Sequence, residues 1–372
     1  YPYSYGWSRK QMISSLYLHI PFCTRICSYC DFPKVFHQKE PEEKYIPELI
    51  REIDSYHIPA NSLKTIYIGG GTPSVLSTPL LEKLLSYLSH YFSTVKEFTI
   101  EANPESRTEE KAAIRSRYGV NRVSLGVEST NPTTLSYLGR NHTLEQALAA
   151  VSNLKKHNID NINLDFIYGV SGESLTDLKE DIQFALNQNV KHLSFYSLQI
   201  EQGTVLHNQK TIPVSDDIYR MQYDFLVSEL EKNGFHRYEV SNFAKPGYES
   251  KHNLTYWHDQ QYYACGLGAS GYIGNLRYTN TKSLTNYLLG KRIFQKDVIT
   301  KEDEEREFLR LGLRLRDGFS LSEYQERFHV SFLEKYGQKI DENKECFEIE
   351  GDCFRINPDY LYVMDSLLFS LF

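Results

Sequence analysis

Six short apolar runs, each followed by a stretch with helical periodicity, limit what this chain can build more than any other feature. The runs are LYLHIPF (16–22), TIYIGG (65–70), FTIEAN (98–103), RVSLGV (122–127), INLDFIYG (162–169) and LSFYSLQI (193–200). Each has strand length, is rich in Ile, Val, Phe and Tyr, and is bounded by Gly, Pro or polar turns. Between them lie amphipathic segments. In PLLEKLLSYLSHYF (79–92), Leu80, Leu81, Leu84, Leu85, Leu88 and Phe92 share one helical face and Pro79 suits the first turn. Residues 143–157 and 174–189 read the same way. Strands separated by helices imply a parallel sheet with right-handed crossovers. Six units predict an α/β fold of the partial, open (β/α)6 barrel type, whose reacting groups sit in loops at the C-terminal strand ends. Those ends carry Cys23, Gly70-Gly71-Thr72, Glu101, Glu128 and Asp165, so one rim gathers the chemistry-bearing residues.

The first of those loops, PFCTRICSYCDF, holds Cys23, Cys27 and Cys30 in the spacing C-x3-C-x2-C. A [4Fe–4S] cluster usually holds each iron with its own cysteine, so three thiolates leave one iron open to an exchangeable molecule. Zinc is the competing reading, with His19 or His37 completing a tetrahedron, although zinc sites more often come as paired C-x2-C knuckles. A disulfide framework suits a chain of 372 residues with 6 Cys and no secretory leader poorly. Gly69-Gly70-Gly71-Thr72-Pro73 ends the second run, and consecutive glycines let a ligand lie against bare backbone.

The rest of the chain divides by composition. Residues 1–11 (YPYSYGWSRKQ) resemble neither a signal nor the fold that follows and are set aside as an extension. Residues 12–234 are expected to form the barrel. Residues 235–300, rich in Tyr, Gly, Asn and His, read as an irregular connecting region, and a helix around 216–233 precedes them. Residues 301–372 predict a small helical, winged-helix-like module: a helix over roughly 303–316 ended by Gly318, a short helix near 322–328, a hairpin in ECFEIEGDCFRI turning at Gly351-Asp352, and a final helix. Cys346 and Cys353 flank that hairpin and are expected to stay reduced in a cytosolic chain. A net charge of −7 disfavours nucleic acid as the main partner. No apolar stretch approaches the ~20 residues of a membrane span. The run LYVMDSLLFSLF is expected to be a docked terminal helix, with a peripheral membrane contact as the alternative.

Together these motifs resemble the radical S-adenosylmethionine superfamily: HIPFC, the three-cysteine loop, GGGTP, EANP (101–104), GVNRVSLGVES (119–129), LGRNH (138–142) and DFIYG (165–169) occur in fixed order. The resemblance runs from Tyr17 to the C-terminus and narrows to the branch that holds oxygen-independent coproporphyrinogen III dehydrogenase and its haem-chaperone relatives. It implies that S-adenosylmethionine chelates the open iron and is cleaved there by one electron, supplied by a donor such as flavodoxin or ferredoxin. By the family's pattern Tyr17, Tyr29 and Gly71-Thr72 contact S-adenosylmethionine. The residues' own chemistry agrees for Glu101 and Asp165, acceptors suited to an amine and to ribose hydroxyls, and for Arg140, a bidentate partner for a carboxylate. Glu128 departs from the glutamine the pattern expects, which changes the charge of that contact.

Two features separate the chaperones from the dehydrogenase. The dehydrogenase has a further cysteine two residues past the third, where this chain reads Cys30-Asp31-Phe32, and it has an N-terminal covering arm for which too few residues precede Tyr17. His252, Asn253, Tyr256 and Trp257 form H-N-x-x-Y-W, which resembles the haem-chaperone motif. Imidazole is a common axial haem ligand and aromatic neighbours suit a flat macrocycle, so His252 is the candidate ligand and Cys265 a second. An aromatic-capped loop over the barrel is the plainer reading of the same run. The sequence therefore predicts a cytoplasmic carrier, with membrane association as a variant of that setting, that passes haem to an acceptor protein, and coproporphyrinogen III decarboxylation is the alternative. Gly266-Leu267-Gly268-Ala269-Ser270-Gly271 matches G-x-G-x-x-G, yet no acidic residue follows at the right distance and no βαβ unit surrounds it, so it reads as a packing loop.

Overall fold

Two kinds of residue alternate along the six runs, and the sheet they form separates them. The structure, a computed structural model, describes residues 12–106 and 109–371; the extension over residues 1–11 lies outside the described residues. The strands are Ser15–Ile20 (β1), Thr65–Gly70 (β2), Glu97–Ala102 (β3), Arg122–Glu128 (β4), Asn161–Tyr168 (β5) and His192–Ser197 (β6). They pair in parallel in chain order. Leu16, Leu18, Ile66, Ile68, Ile100 and Leu164 occupy one set of alternate positions and are fully buried in one core. The other set is polar. Tyr17, Tyr67, Thr99, Arg122 and Asn161 fall in one row across the sheet, and Glu101, Ser124, Asn163 and His192 in the next. Because side chains alternate faces along a strand, one face is apolar and the other is a polar floor with the rim above it.

Helices close the apolar face. Lys39–Ser55 (α1), Thr78–Leu88 (α2), Glu109–Arg117 (α3), Leu144–Lys156 (α4), Leu175–Asn187 (α5) and Asp216–Lys232 (α6) follow the successive strands. Leu81, Leu84, Leu85 and Leu88 of α2 and Ala147 and Leu154 of α4 pack into the same core. Reciprocal capping fixes the starts of two helices: Thr143 with Gln146 on α4 and Ser174 with Asp177 on α5. The 79–92 segment leaves the α-helix at Leu88 and finishes as a 3-10 turn over Ser89–Tyr91.

The 235–300 segment is not irregular. It completes the sheet at both edges. His236–Arg237 (β7) and Asn242–Ala244 (β8) extend it antiparallel beyond β6. After the helix Lys251–Trp257 (α7), Tyr263–Cys265 (β9) returns to pair in parallel with β1, Leu16 opposite Tyr263 and Leu18 opposite Cys265. The sheet thereby gains strands at both edges. Ser270–Ile273 (β10), Leu276–Asn280 (β11) and Ile293–Val298 (β12) then form a separate antiparallel sheet. The glycine loop before β10 packs on the barrel, with Gly266 N donating to Glu52 Oε2 at 2.8 Å and Gly268 N to the Thr281 carbonyl at 2.9 Å.

The C-terminal module has its own core of Phe308, Phe319, Tyr324, Phe332 and Phe354. It comprises Lys301–Gly312 (α8), Phe319–Ser320 (β13), Leu321–Phe328 (α9), Phe332–Asp341 (α10), the hairpin Phe347–Glu350 (β14) and Cys353–Ile356 (β15), and Met364–Leu371 (α11). The first helix starts at Lys301 because Thr300 and Asp303 cap each other's backbone. In the hairpin Cys353 faces Glu350, and Cys346 lies before the first pair, so the two do not oppose each other. Met364, Leu367, Leu368 and Leu371 are buried in the module, which docks the terminal helix by its apolar side. Among the described residues no helix is long and apolar enough to cross a membrane.

Candidate functional site

Above the polar floor the rim carboxylates are held by the strands themselves. Glu101 Oε1 accepts from Tyr67 Oη at 2.7 Å and Oε2 accepts from Gly70 N at 3.0 Å. Burial, with Asp165 and Glu128 nearby, pushes its carboxyl up to about 7 despite those two bonds. Asp165 accepts from Ser124 Oγ and Asn163 Nδ2, both at 2.7 Å, and burial raises it too. Tyr17 Oη meets His19 Nδ1 at 3.0 Å while its ring stacks on Tyr67 at 6.1 Å. Buried Glu128 and half-buried Glu101 and Asp165 lie in one another's field and are costly when charged, and a cationic partner is what would relieve them.

The three-cysteine loop is pinned from several sides. Val35 N donates to the Pro21 carbonyl and His37 N to that of Cys23, at 2.8 and 2.9 Å. Ser28 N donates to the Leu138 carbonyl at 2.9 Å, and Leu206 N to the Ser28 carbonyl at 3.0 Å. Thr72 Oγ1 donates to Cys23 Sγ at 3.7 Å and Arg140 Nη1 to Cys27 Sγ at 3.6 Å. Burial pushes the Cys23 thiol up to about 11, Thr72 opposing and Cys30 and Cys27 adding to it. Burial raises Cys30 as well, and metal binding would take the protons from such thiols. Gly71 is required here. A Cβ on it would sit 2.8 Å from the Pro21 carbonyl and 2.9 Å from Cys23 Sγ.

These residues fit an iron–sulfur cluster better than a zinc ion. His19 is bonded through both ring nitrogens, Nδ1 to Tyr17 Oη at 3.0 Å and Nε2 to the Pro33 carbonyl at 2.7 Å, and His37 Nε2 is bonded to Glu42 at 2.9 Å. Among the described residues no three His, Cys, Asp or Glu side chains converge as ligands of a single ion. A cubane asks each thiolate to bind a different iron, which spreads the sulfurs.

Glu128, where the pattern has glutamine, sits in a left-handed backbone conformation (φ 63°) at a bulge in β4. Its side chain folds over Gly126, where a Cβ would come within 2.8 Å of Oε1. Burial pushes the Glu128 carboxyl up to about 7, with Arg140 and the Tyr29 hydroxyl pulling the other way. Arg140 also donates through Nη2 to the Gly126 carbonyl at 2.9 Å and lies 3.8 Å from Glu105. Its buried Nε has no hydrogen-bond partner among the described residues.

The rim thus joins Cys23, Cys27, Cys30, Tyr29, Thr72, Arg140 and Glu128 on one side to Glu101, Asp165 and Tyr17 on the other. Tyr67, Ser124 and Asn163 also hold the site and were not anticipated; the signal was the polar residue at every second position of each run.

His252 is not on the rim. Its Nδ1 bonds to Thr65 Oγ1 and its Nε2 to Tyr256 Oη, both at 2.8 Å. Thr65 begins β2, so the imidazole lies under the floor, stacked on Tyr67 at 5.1 Å. It is fully buried, which lowers its pKa to about 3. The backbone N–H groups of Lys251 and His252 donate to Glu97, each at 2.9 Å, placing a carboxylate on the N-terminus of α7. In this arrangement His252 offers no free nitrogen to haem iron. Cys265 is likewise fully buried in β9.

The family description Radical SAM superfamily matches residues 17–185, and HemN C-terminal domain matches residues 299–359. A protein of Lactococcus lactis subsp. lactis named "Heme chaperone HemW" is 41% identical over 343 residues, 89% of each chain. One of the same name from Bacillus subtilis is 38% identical over 344 residues, 88% of each chain. The coproporphyrinogen III oxidase HemN of Escherichia coli superposes with a TM-score of 0.82 at 17% identity, over 97% of this chain and 90% of that one. At that identity the likeness shows the shared fold.

Proposed function

This chain belongs to the radical SAM superfamily, in the HemN-like branch that includes the haem chaperones HemW, and from that premise we propose that it binds haem and hands it to an acceptor protein. The observation that carries the reading is the near full-length likeness to relatives bearing that name. The loop after the third cysteine supports it, because Cys30 is followed by Asp31 and an exposed Phe32 with no further thiol.

The radical SAM fold implies a [4Fe–4S] cluster and S-adenosylmethionine. Cys23, Cys27 and Cys30 are the proposed cluster ligands. Bound at the open iron, S-adenosylmethionine would supply one-electron chemistry, with flavodoxin or ferredoxin as the donor if it is cleaved. This chain's own part is to bind and orient. In this proposal Arg140, aimed by the Gly126 carbonyl and Glu128, takes a carboxylate. Glu101 and Asp165 accept from an amine and from hydroxyls, while Tyr17, Tyr29, Gly71 and Thr72 line the cofactor. The proposed setting is the cytoplasm.

Anaerobic reconstitution followed by separate titrations with S-adenosylmethionine and haem tests this reading. About four irons per chain are expected, lost on replacing any of Cys23, Cys27 or Cys30 by Ala, with about one haem bound independently of the cluster. Stoichiometric zinc without iron uptake would sink the cluster assignment. Steady conversion of coproporphyrinogen III to protoporphyrinogen IX would replace the carrier with the dehydrogenase.

A further inference from the structure

A chain of hydroxyls beneath the polar floor decides which nitrogen of His252 carries hydrogen. Thr255 Oγ1 lies 3.3 Å from the Lys251 carbonyl, which can only accept, so Thr255 donates there. Each hydroxyl has one proton to give. Ser15 Oγ therefore donates to Thr255 Oγ1 at 2.9 Å, and Thr65 Oγ1 donates to Ser15 Oγ at 2.9 Å. Thr65 is left as the acceptor in its 2.8 Å contact with His252 Nδ1, and Nδ1 carries the hydrogen. Burial, with the Arg122 guanidinium adding to it, keeps the ring neutral. Nε2 thus holds a lone pair, and Tyr256 Oη donates to it at 2.8 Å.

An imidazole binds a metal in this form, neutral, with N–H on one nitrogen given to a fixed acceptor and a lone pair on the other. The two partners of the ring differ in how freely they can leave. Thr65 and Ser15 are buried and face each other across β2 and β1, so the acceptor at Nδ1 belongs to the sheet. Tyr256 is half-buried, in the last turn of the seven-residue helix α7, with its ring edge-on to Tyr262 at 4.7 Å. That turn is not fully satisfied. The neighbouring Trp257 Nε1 is buried with no hydrogen-bond partner among the described residues, a cost that a shift of the turn can relieve.

We propose that Tyr256 caps the iron-binding nitrogen of His252: its hydroxyl occupies Nε2 in the haem-free chain and yields that nitrogen to haem iron, while the Thr65–Ser15–Thr255 relay holds Nδ1–H and fixes which nitrogen ligates. The inference rests on the haem-carrier reading, with His252 as the ligand, and deepens it. Tyr256 and Thr65 are positioning residues. No proton changes owner, because the hydroxyl keeps its hydrogen as it swings away. The same hydroxyl competes for Nε2 when haem departs, so the cap favours release to an acceptor over permanent retention.

The test uses the full chain and hemin, with the Soret band, a binding isotherm and the dissociation rate as readouts. Tyr256→Phe keeps the ring and removes the competing hydroxyl. It should bind hemin about fivefold more tightly, the weight of one ordinary hydrogen bond, release it more slowly, and leave the Soret band in place. Thr65→Val keeps the shape and removes the acceptor at Nδ1. It should bind about tenfold more weakly with a shifted band, and Thr65→Ser should restore both. His252→Ala should lose the wild-type band. Tyr256→Phe binding no more tightly and releasing no more slowly than the wild type overturns the cap. Thr65→Val with wild-type band and affinity overturns the relay. An unchanged band in His252→Ala overturns the whole inference, and in these three cases the carrier reading stands. Failure of the wild type to bind hemin at all overturns both.

Discussion

Glu101 carries a pH signature that can be read without any cofactor. An unfolded glutamate titrates near ~4.3, and the folded carboxyl has been pushed up to about 7 by burial. Below the lower value both states are protonated and the residue contributes its full stability. Between the two values the unfolded chain releases its proton first, so that contribution is lost as pH rises through about 7. Thermal melts of the ligand-free protein from about pH 5 to about pH 8 should therefore fall more steeply for the wild type than for Glu101→Gln; parallel curves would contradict the burial argument. At this scale the sequence was read unevenly. That Glu101 and Asp165 stand toward the C-terminal ends of their strands was legible because strand ends follow from the local pattern. The packing around His252 was not, because Thr65, which bonds one of its nitrogens, lies far away in the chain.

Among elements, the glycine run at the end of β2 packs directly against the three-cysteine loop. Gly71→Ala puts a methyl against the Pro21 carbonyl and Cys23 Sγ, and the neighbour there is backbone, which yields little. We expect reconstituted Gly71→Ala to hold well under half the wild-type iron while keeping its far-ultraviolet spectrum. Full iron loading would show that the loop has slack. The strand–helix units were legible because each repeats a local pattern, period 2 then period 3.6. The edges β7, β8 and β9 were not. They are two or three residues long, and what makes them strands is partners such as Leu193 and Leu16, distant in sequence.

For the whole molecule, the joint between barrel and C-terminal module turns on Asp259. This buried carboxylate takes Arg327 at 2.6 Å and Arg277 at 3.4 Å, and those arginines also pair with Glu304 and Glu307. Burial pushes Asp259 up to about 6, the two guanidinium groups opposing. Asn tolerates the left-handed backbone of this position (φ 47°), so Asp259→Asn removes charge alone. Leaving two partly buried cations without it should cost roughly 2–3 kcal/mol, read as a lower urea midpoint and faster proteolytic release of the module. An unchanged midpoint would mean that Glu304 and Glu307 suffice. The pairing of β9 with β1 reaches furthest. A ribosome delivers β1 early, yet the partner for its outer edge does not exist until Tyr263 has been made. Throughout synthesis Leu16–Leu18 present unpaired backbone, the kind of edge that recruits other chains. In pulse-labelled refolding those amides should be the last of the sheet to be protected. The nascent chain would then itself need shelter until the last strand of this sheet arrives.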